Sequence, residues 1–208
     1  MMQLLLIRHA QPVPASSDTG GVDPGLTPGG LQQAERLAEF LTRPQAREIQ
    51  AVYSSPMARA RETAAPLAKR LGLAVEERSG VAEFDYGAPV YVPSEDYTGD
   101  RRQQWEDLLR GKWHGYEFDM DAFRRRAVEA LEGIVGAHSN GTVAVVCHGG
   151  VINVYLAHIL GTALPMFFQP DYTSVSRVVA ASDGYRTLRT ANDRAHLHWS
   201  QPAAEAER

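Results

Sequence analysis

The sequence predicts an α/β fold of three layers, in which a mostly parallel sheet carries helices on both faces and ends in an antiparallel edge hairpin. Three observations predict it. Short apolar runs alternate with segments of helical apolar spacing, polar residues follow directly on the carboxyl side of those runs, and two late strand-like stretches flank an Asp183-Gly184 turn signal. The 208 residues are 44% hydrophobic and 22% charged, which excludes disordered, collagen-like and disulfide-dense chains. Length favours one domain over residues 1–208 rather than two full cores.

Gln3 to Ile7 is a buried strand that delivers Arg8 and His9 to its carboxyl end. A Pro, Gly and Ser-rich loop follows, then Thr27-Pro28 opens a helix: Thr27 is an N-cap, Pro28 suits the first helical position, and Leu31, Ala34, Leu37, Ala38 and Leu41 share one face. Ala51 to Ser54 is a second strand, and apolar residues from Met57 to Leu71 keep helical spacing up to a Gly72 stop. Leu73 to Glu76 is a short strand. The stretch from Val81 to Asp121 has no sustained period. Phe123, Ala127, Ala130, Leu131 and Ile134 mark a further helix, Thr142 to Cys147 a further buried strand, and Val151 to Leu160 an interior helix apolar on nearly every side. Ser174 to Ala181 and Tyr185 to Thr190 form the edge hairpin, and residues 201–208 read as a frayed tail.

Twenty-one Lys and Arg against 25 Asp and Glu give a net charge of -4, so no whole-molecule field draws the chain to nucleic acid or to an anionic membrane. Leu4 to Ile7 is too short for a signal core or a membrane span, and the expected location is cytoplasmic. Cys147 is the only cysteine, which excludes an internal disulfide and a cysteine-rich metal centre. Oligomeric state has no signature in this sequence.

In an open parallel sheet, ligands bind outside the carboxyl ends of the strands. Arg8 and His9 follow the first strand, Ser54-Ser55-Pro56 follow the second with Arg59 in the next helical turn, and His148-Gly149-Gly150 follow the strand ending at Cys147. Two arginines, two histidines and a glycine-flanked helix start therefore meet at one edge, which is an anion site matched to phosphate. A neutral imidazole inside it can attack phosphorus while the arginines neutralise the equatorial oxygens, so neither metal nor cofactor is required.

These residues carry a family resemblance. Leu5-Leu6-Ile7-Arg8-His9-Ala10, Leu26-Thr27-Pro28-Gly29-Gly30 with Gln33-Ala34, Ser54-Ser55-Pro56-Met57-Ala58-Arg59-Ala60 with Thr63-Ala64, Glu83-Phe84-Asp85-Tyr86-Gly87 and Val145-Val146-Cys147-His148-Gly149-Gly150-Val151-Ile152 stand in order. Together they resemble the five motifs of the histidine phosphatase superfamily, which includes the cofactor-dependent phosphoglycerate mutases. The resemblance implies that His9 is the phosphorylated nucleophile, that Arg8, Arg59 and His148, with Gly149, hold the phosphoryl group, and that Glu83 is the general acid and base, its pKa raised by burial. Asp85, two residues on, competes for the Glu83 role. Pro12, Pro14 and Ala15 stand where the mutase pattern has Ser, Trp and Asn. This departure favours a phosphatase-type member, with Ser16, Ser17 or Thr19 as replacement hydroxyls.

The implied activity is a metal-independent phosphomonoesterase working on a small-molecule phosphate ester through phosphohistidine. Its alternatives are a phosphomutase and a non-catalytic phospholigand-binding or adaptor protein. In the resembled family an insertion at 81–121 covers the active site. Here that segment holds ten acidic residues against four basic, and eight of the chain's aromatics. Such a cover repels polyanions and favours a monophosphate ester with an apolar, aromatic or cationic body, unless the aromatics only pack a small core of their own.

Other chemistry-bearing residues read as structural. Cys147 is a buried strand thiol and His158 sits in an apolar helix. Arg124, Arg125 and Arg126 form a solvated helix face, with Arg125 four residues before Glu129. His196 and His198 share a face if their segment is extended, but lack a third metal ligand.

Overall fold

Alternation along the first strand sets the layers of the molecule. In a computed structural model describing residues 1–93 and 95–198, strand β1 (Met2–Arg8) sends Leu4 and Leu6 to one face of the sheet and Leu5 and Ile7 to the other. All four are at most 3% exposed, and burial of each contributes about 1.5–3 kcal/mol. The chain continues through β2 (Ala15–Ser16), α1 (Pro28–Leu41), β3 (Ile49–Ser54), α2 (Ala58–Leu71) and β4 (Val75–Glu77). After a 3₁₀ turn over Ser79–Val81 come β5 (Val90–Tyr91), α3 (Arg101–Leu109), β6 (Lys112–Trp113) and β7 (Tyr116–Glu117). Helix α4 (Met120–Ala137), β8 (Gly141–Cys147), α5 (Gly149–Leu160), β9 (Val175–Ala180), β10 (Arg186–Asp193) and α6 (Ala195–His198) complete the order.

The main sheet runs β10-β9-β1-β8-β3-β4. β1, β8, β3 and β4 are mutually parallel, whereas β9 pairs antiparallel with both β1 and β10, giving the expected edge hairpin. Helices α4 and α5 pack with Leu4, Leu6, Val143 and Val145 on one face. Helices α1 and α2 pack with Leu5, Ile7, Ala144 and Val146 on the other. A register shift between Ile49 and Ala51 lets both Ile49 and Val52 of β3 reach this second core.

Local chemistry explains the helix ends. The Thr27 hydroxyl accepts Gly30 N–H at 2.9 Å with Pro28 beside it, and Gly72 closes α2 in the left-handed region at φ 66°. Helix α3 lies inside the stretch read as aperiodic. Asp100 caps it through Arg102 and Gln103 N–H, but its first turn is polar throughout, so no helical apolar period announces it.

Three smaller expectations fail. Leu31 is 49% exposed, because it sits at the open side of the α1 face that buries Ala34, Leu37 and Leu41. Helix α5 is buried only to Ala157, and His158 and Leu160 emerge into solvent. His196 and His198 lie on a helical turn rather than an extended strand, with His196 buried against the Thr173 hydroxyl at 2.8 Å. The expectation for residues 201–208 falls outside the described residues. Among the described residues no helix is long and apolar enough to cross a membrane.

Candidate active site

The carboxyl ends of β1, β3 and β8 converge. His9 N–H bonds to the Cys147 carbonyl at 2.9 Å, Ser55 N–H to the Val146 carbonyl at 3.0 Å, and Arg8 N–H to the Ser174 carbonyl at 3.2 Å, so one hydrogen-bonded edge carries all three. Ala10 N–H bonds to Thr63 Oγ1 at 2.9 Å, and that hydroxyl donates to the Arg59 carbonyl at 2.7 Å. The first turn of α2, with Arg59, is thereby tied to the end of β1.

His9 is 2% exposed and packs at 5.1 Å from the His148 ring. Its Nδ1 lies 2.8 Å from the Ala10 carbonyl, which can only accept. We therefore assign the proton to Nδ1, which leaves the Nε2 lone pair free. Burial first, then the charges of Arg59 and Arg8, hold the His9 pKa well below its ordinary value and keep the ring neutral. His148 is lowered in the same way, by burial and then by Arg59, His9 and Arg8. Its Nε2 meets Ser55 Oγ at 2.8 Å, and because that hydroxyl already accepts Met57 N–H, we assign its proton as donated to His148. Nδ1 of His148 is then a buried donor.

Arg8 donates to the Pro170 carbonyl at 2.6 Å and stacks 4.1 Å over the Tyr172 ring. Arg59 is 1% exposed, held by Asp85 at 2.9 and 3.1 Å and stacked 4.5 Å over Tyr91. Asp85 is thus occupied by an arginine, while Glu83 accepts from Gly150 N–H at 2.7 Å and from Phe84 N–H at 3.2 Å. Burial, then the charge of Asp85, raises the Glu83 pKa to about 7 against those two N–H bonds and Arg59. Position 150 must be glycine for this contact: a Cβ there would collide with Glu83 Oε1.

Arg8, His9, Arg59, Glu83 and Gly149 all line one cavity of about 120 Å³, with His148 behind the His9 ring. Its far wall comes from the 81–121 segment, through Phe84, Tyr91, Gln104, Trp105, Leu108 and Trp113. Phe84 also stacks on Phe118 at 4.6 Å, so the aromatics serve both the cavity and a small core. Only Glu83 and Asp85 among the ten acidic residues line the cavity; Glu95 accepts from Gln11 and Tyr172 in the adjoining pocket that Arg8 also lines, and Arg102–Glu106 and Lys112–Glu117 pair on the outer surface. Ser16, Ser17 and Thr19 do not line the cavity.

Among the described residues six buried side-chain polar atoms have no partner in the protein: Arg8 Nε, Arg59 Nε, His148 Nδ1, Gln104 Nε2, Trp113 Nε1 and Ser174 Oγ. The first three flank His9. Three nitrogen donors orphaned around one imidazole fit the oxygens of a phosphoryl group. Cys147 is buried with its thiol pKa pushed up by desolvation, which leaves it inert. Among the described residues no group of three His, Cys, Asp or Glu stands ready to hold a metal.

Sequence reasoning missed Tyr172, Pro170 and Asn153. Tyr172 and Pro170 lie in an irregular loop with no period to mark them, anchored where Thr173, at φ 56°, donates its N–H to the Arg8 carbonyl at 3.0 Å. Asn153 had a signal, a lone amide in an apolar helix. It donates to the Gly149 and Phe168 carbonyls and accepts Phe167 and Phe168 N–H, which pins this loop to the start of α5. Arg126 also departs from the solvated face: it turns inward and donates to the Ser79 and Gly80 carbonyls at 3.0 and 3.2 Å.

A family model described as "Histidine phosphatase superfamily (branch 1)" matches residues 4–194. The chain is 30% identical over 205 residues to phosphoserine phosphatase 1 of Hydrogenobacter thermophilus, covering 95% of each protein. It is 28% identical to a glucosyl-3-phosphoglycerate phosphatase of Mycolicibacterium vanbaalenii, over 76% of this chain and 74% of that one. The fold matches the crystal structure of a mutant phosphoserine phosphatase from Entamoeba histolytica in complex with phosphoserine, with a TM-score of 0.73 at 24% identity, covering 95% of this chain and all (100%) of that one.

Proposed function

The chain belongs to the histidine phosphatase superfamily and is a phosphoric monoester hydrolase of that family; from this premise we propose a metal-independent, two-step mechanism through phospho-His9. The observation that carries the proposal is the neutral His9 ring, its Nε2 free, set among three orphaned donors. In the first step Nε2 attacks phosphorus, the P–N bond forms as the ester P–O bond breaks, and protonated Glu83 gives its proton to the leaving alkoxide. Arg8, Arg59 and His148 stabilise the charge spread over the equatorial oxygens. In the second step ionised Glu83 takes a proton from water, whose oxygen attacks phosphorus, and P–N cleavage returns His9 and inorganic phosphate. A pKa of about 7 suits both duties, because Glu83 populates both protonation states near neutrality. The 81–121 segment covers the site in this reading, and its aromatic wall selects a small phosphate ester with an apolar or aromatic body.

Hydrolysis of an aryl phosphate with excess chelator tests the mechanism. Turnover should persist, an acid-labile phosphoprotein should be trapped, and His9→Ala should lose both, by about 10⁴-fold or more in rate. Turnover surviving in His9→Ala overturns the assignment.

A further inference from the structure

Two of the orphaned donors stand away from His9 and have no part in the phosphoryl chemistry. Gln104 Nε2, on α3, and Trp113 Nε1, on β6, are inaccessible to solvent and without a protein partner, and both residues line the cavity. An indole N–H can only donate, whereas an amide can present either end, so Trp113 fixes the polarity of the pair. Buried Trp N–H groups normally find an acceptor, and in a wall that faces a ligand the missing acceptor belongs to that ligand. The surroundings define its charge. Trp105, Leu108, Met166 and Phe168 make this part of the cavity apolar, and the cavity's arginines, Arg8 and Arg59, are already committed to the phosphoryl end. Lys112, beside Trp113, lines the adjoining outer pocket and is paired with Glu117 at 3.3 Å, so a carboxylate placed in the cavity here would be desolvated without a free cation beside it.

Building on the phosphatase reading above, we propose that Trp113 and Gln104 form a specificity subsite for a neutral hydrogen-bond acceptor on the alcohol half of the ester. A carbonyl, ether oxygen or ring nitrogen on an otherwise apolar or aromatic body meets the chemistry. The subsite discriminates against alcohols that carry a carboxylate, so phosphoserine and 3-phosphoglycerate are poor substrates of this chain.

Calorimetry with non-hydrolysable benzylphosphonate and its 2-, 3- and 4-acetyl derivatives tests binding separately from turnover. The best acetyl isomer should bind the native protein roughly tenfold more tightly than the parent. Trp113→Phe keeps the ring size and removes the N–H, and should bring that ratio below about twofold, as should Gln104→Leu, with folding of each variant checked by thermal unfolding. Ratios within each variant cancel any general loss of affinity. Native turnover of phosphoserine should fall about 100-fold or more below that of the matching acetylphenyl phosphate. An acetyl preference that is absent, or unchanged in both variants, overturns the subsite while leaving aryl phosphate hydrolysis and the parent reading intact. Efficient phosphoserine turnover overturns the discrimination. A preference lost in the variants, with no turnover and no phosphoprotein from any ester, upholds the subsite and sinks the phospho-His9 reading.

Discussion

Arg8, His9, Ser55 and His148 stand at the ends of β1, β3 and β8, strands of six or seven residues that each pair on both sides, whereas Trp113 across the cavity stands on a two-residue strand and Gln104 on a nine-residue helix. The ion pairs differ as sharply. Arg59–Asp85 is sealed from solvent at 1% and 5% exposure, while Arg102–Glu106 is 89% and 39% exposed and contributes little to stability. Reaction geometry tolerates displacements of only about half an ångström, and the sheet supplies that rigidity. Choice of alcohol needs only a wall, and a wall of short elements changes residues without disturbing the sheet.

Glu83 bridges the two regions, so its substitution is the strongest way to break this contrast. Glu83→Gln should lower turnover by about 10²–10⁴-fold and remove the loss of kcat/KM expected of the native protein as pH rises through about 7. Stability should move the other way. The folded-state pKa lies above the ordinary 4.5, so the fold favours the protonated carboxyl; that contribution is complete below pH 4.5 and is lost as pH climbs to about 7. Urea unfolding at pH 8 should therefore find Glu83→Gln more stable than the native chain by up to about 3 kcal/mol, with the gap closing near pH 4.5.

A smaller effect sharpens the comparison at the backbone. Gly150→Ala places a Cβ against Glu83 Oε1 and forces the carboxylate off the Gly150 N–H. Turnover should fall roughly tenfold, stability by about 1–3 kcal/mol, and the alkaline limb of the pH profile should shift upward, because the lost N–H bond was lowering the Glu83 pKa. A pH–rate profile beside a thermal melt checks all three. Smallest is Arg102→Ala in the opposite wall, where neither the unfolding midpoint nor aryl phosphate turnover should change measurably.

The rigid region was the legible one. Its strands are fully buried apolar runs, its helices keep apolar period and end at Thr27 and Gly72, and its polar residues follow the strands, so Arg8, His9, Arg59 and His148 could be gathered from order alone. Glu83 needed the family resemblance, since it lies in an aperiodic stretch with Asp85 beside it, and the two differ in surroundings only once Asp85 is seen paired with Arg59 and Glu83 bonded to Gly150 N–H. Helix α3 was invisible because its capped first turn is polar, and Tyr172 because loops carry no period. Of the ten acidic residues of the 81–121 segment, only Glu83 and Asp85 line the cavity. Composition reports how many charges a segment has and not which way they face.

Strand β1 has one more consequence, for how the molecule is made. It is synthesised long before its partners, since Met2 pairs with Gly141 on one side and Ala180 on the other. At about 5–20 residues per second, the partners of β1 arrive on the order of ten seconds after it. Until then the apolar strand that leads to His9 has neither neighbour, which makes this pairing a slow, long-range step of assembly and the interval in which a chaperone has something to hold. A nascent chain therefore has no complete His9 site until β8 and β9 have been synthesised.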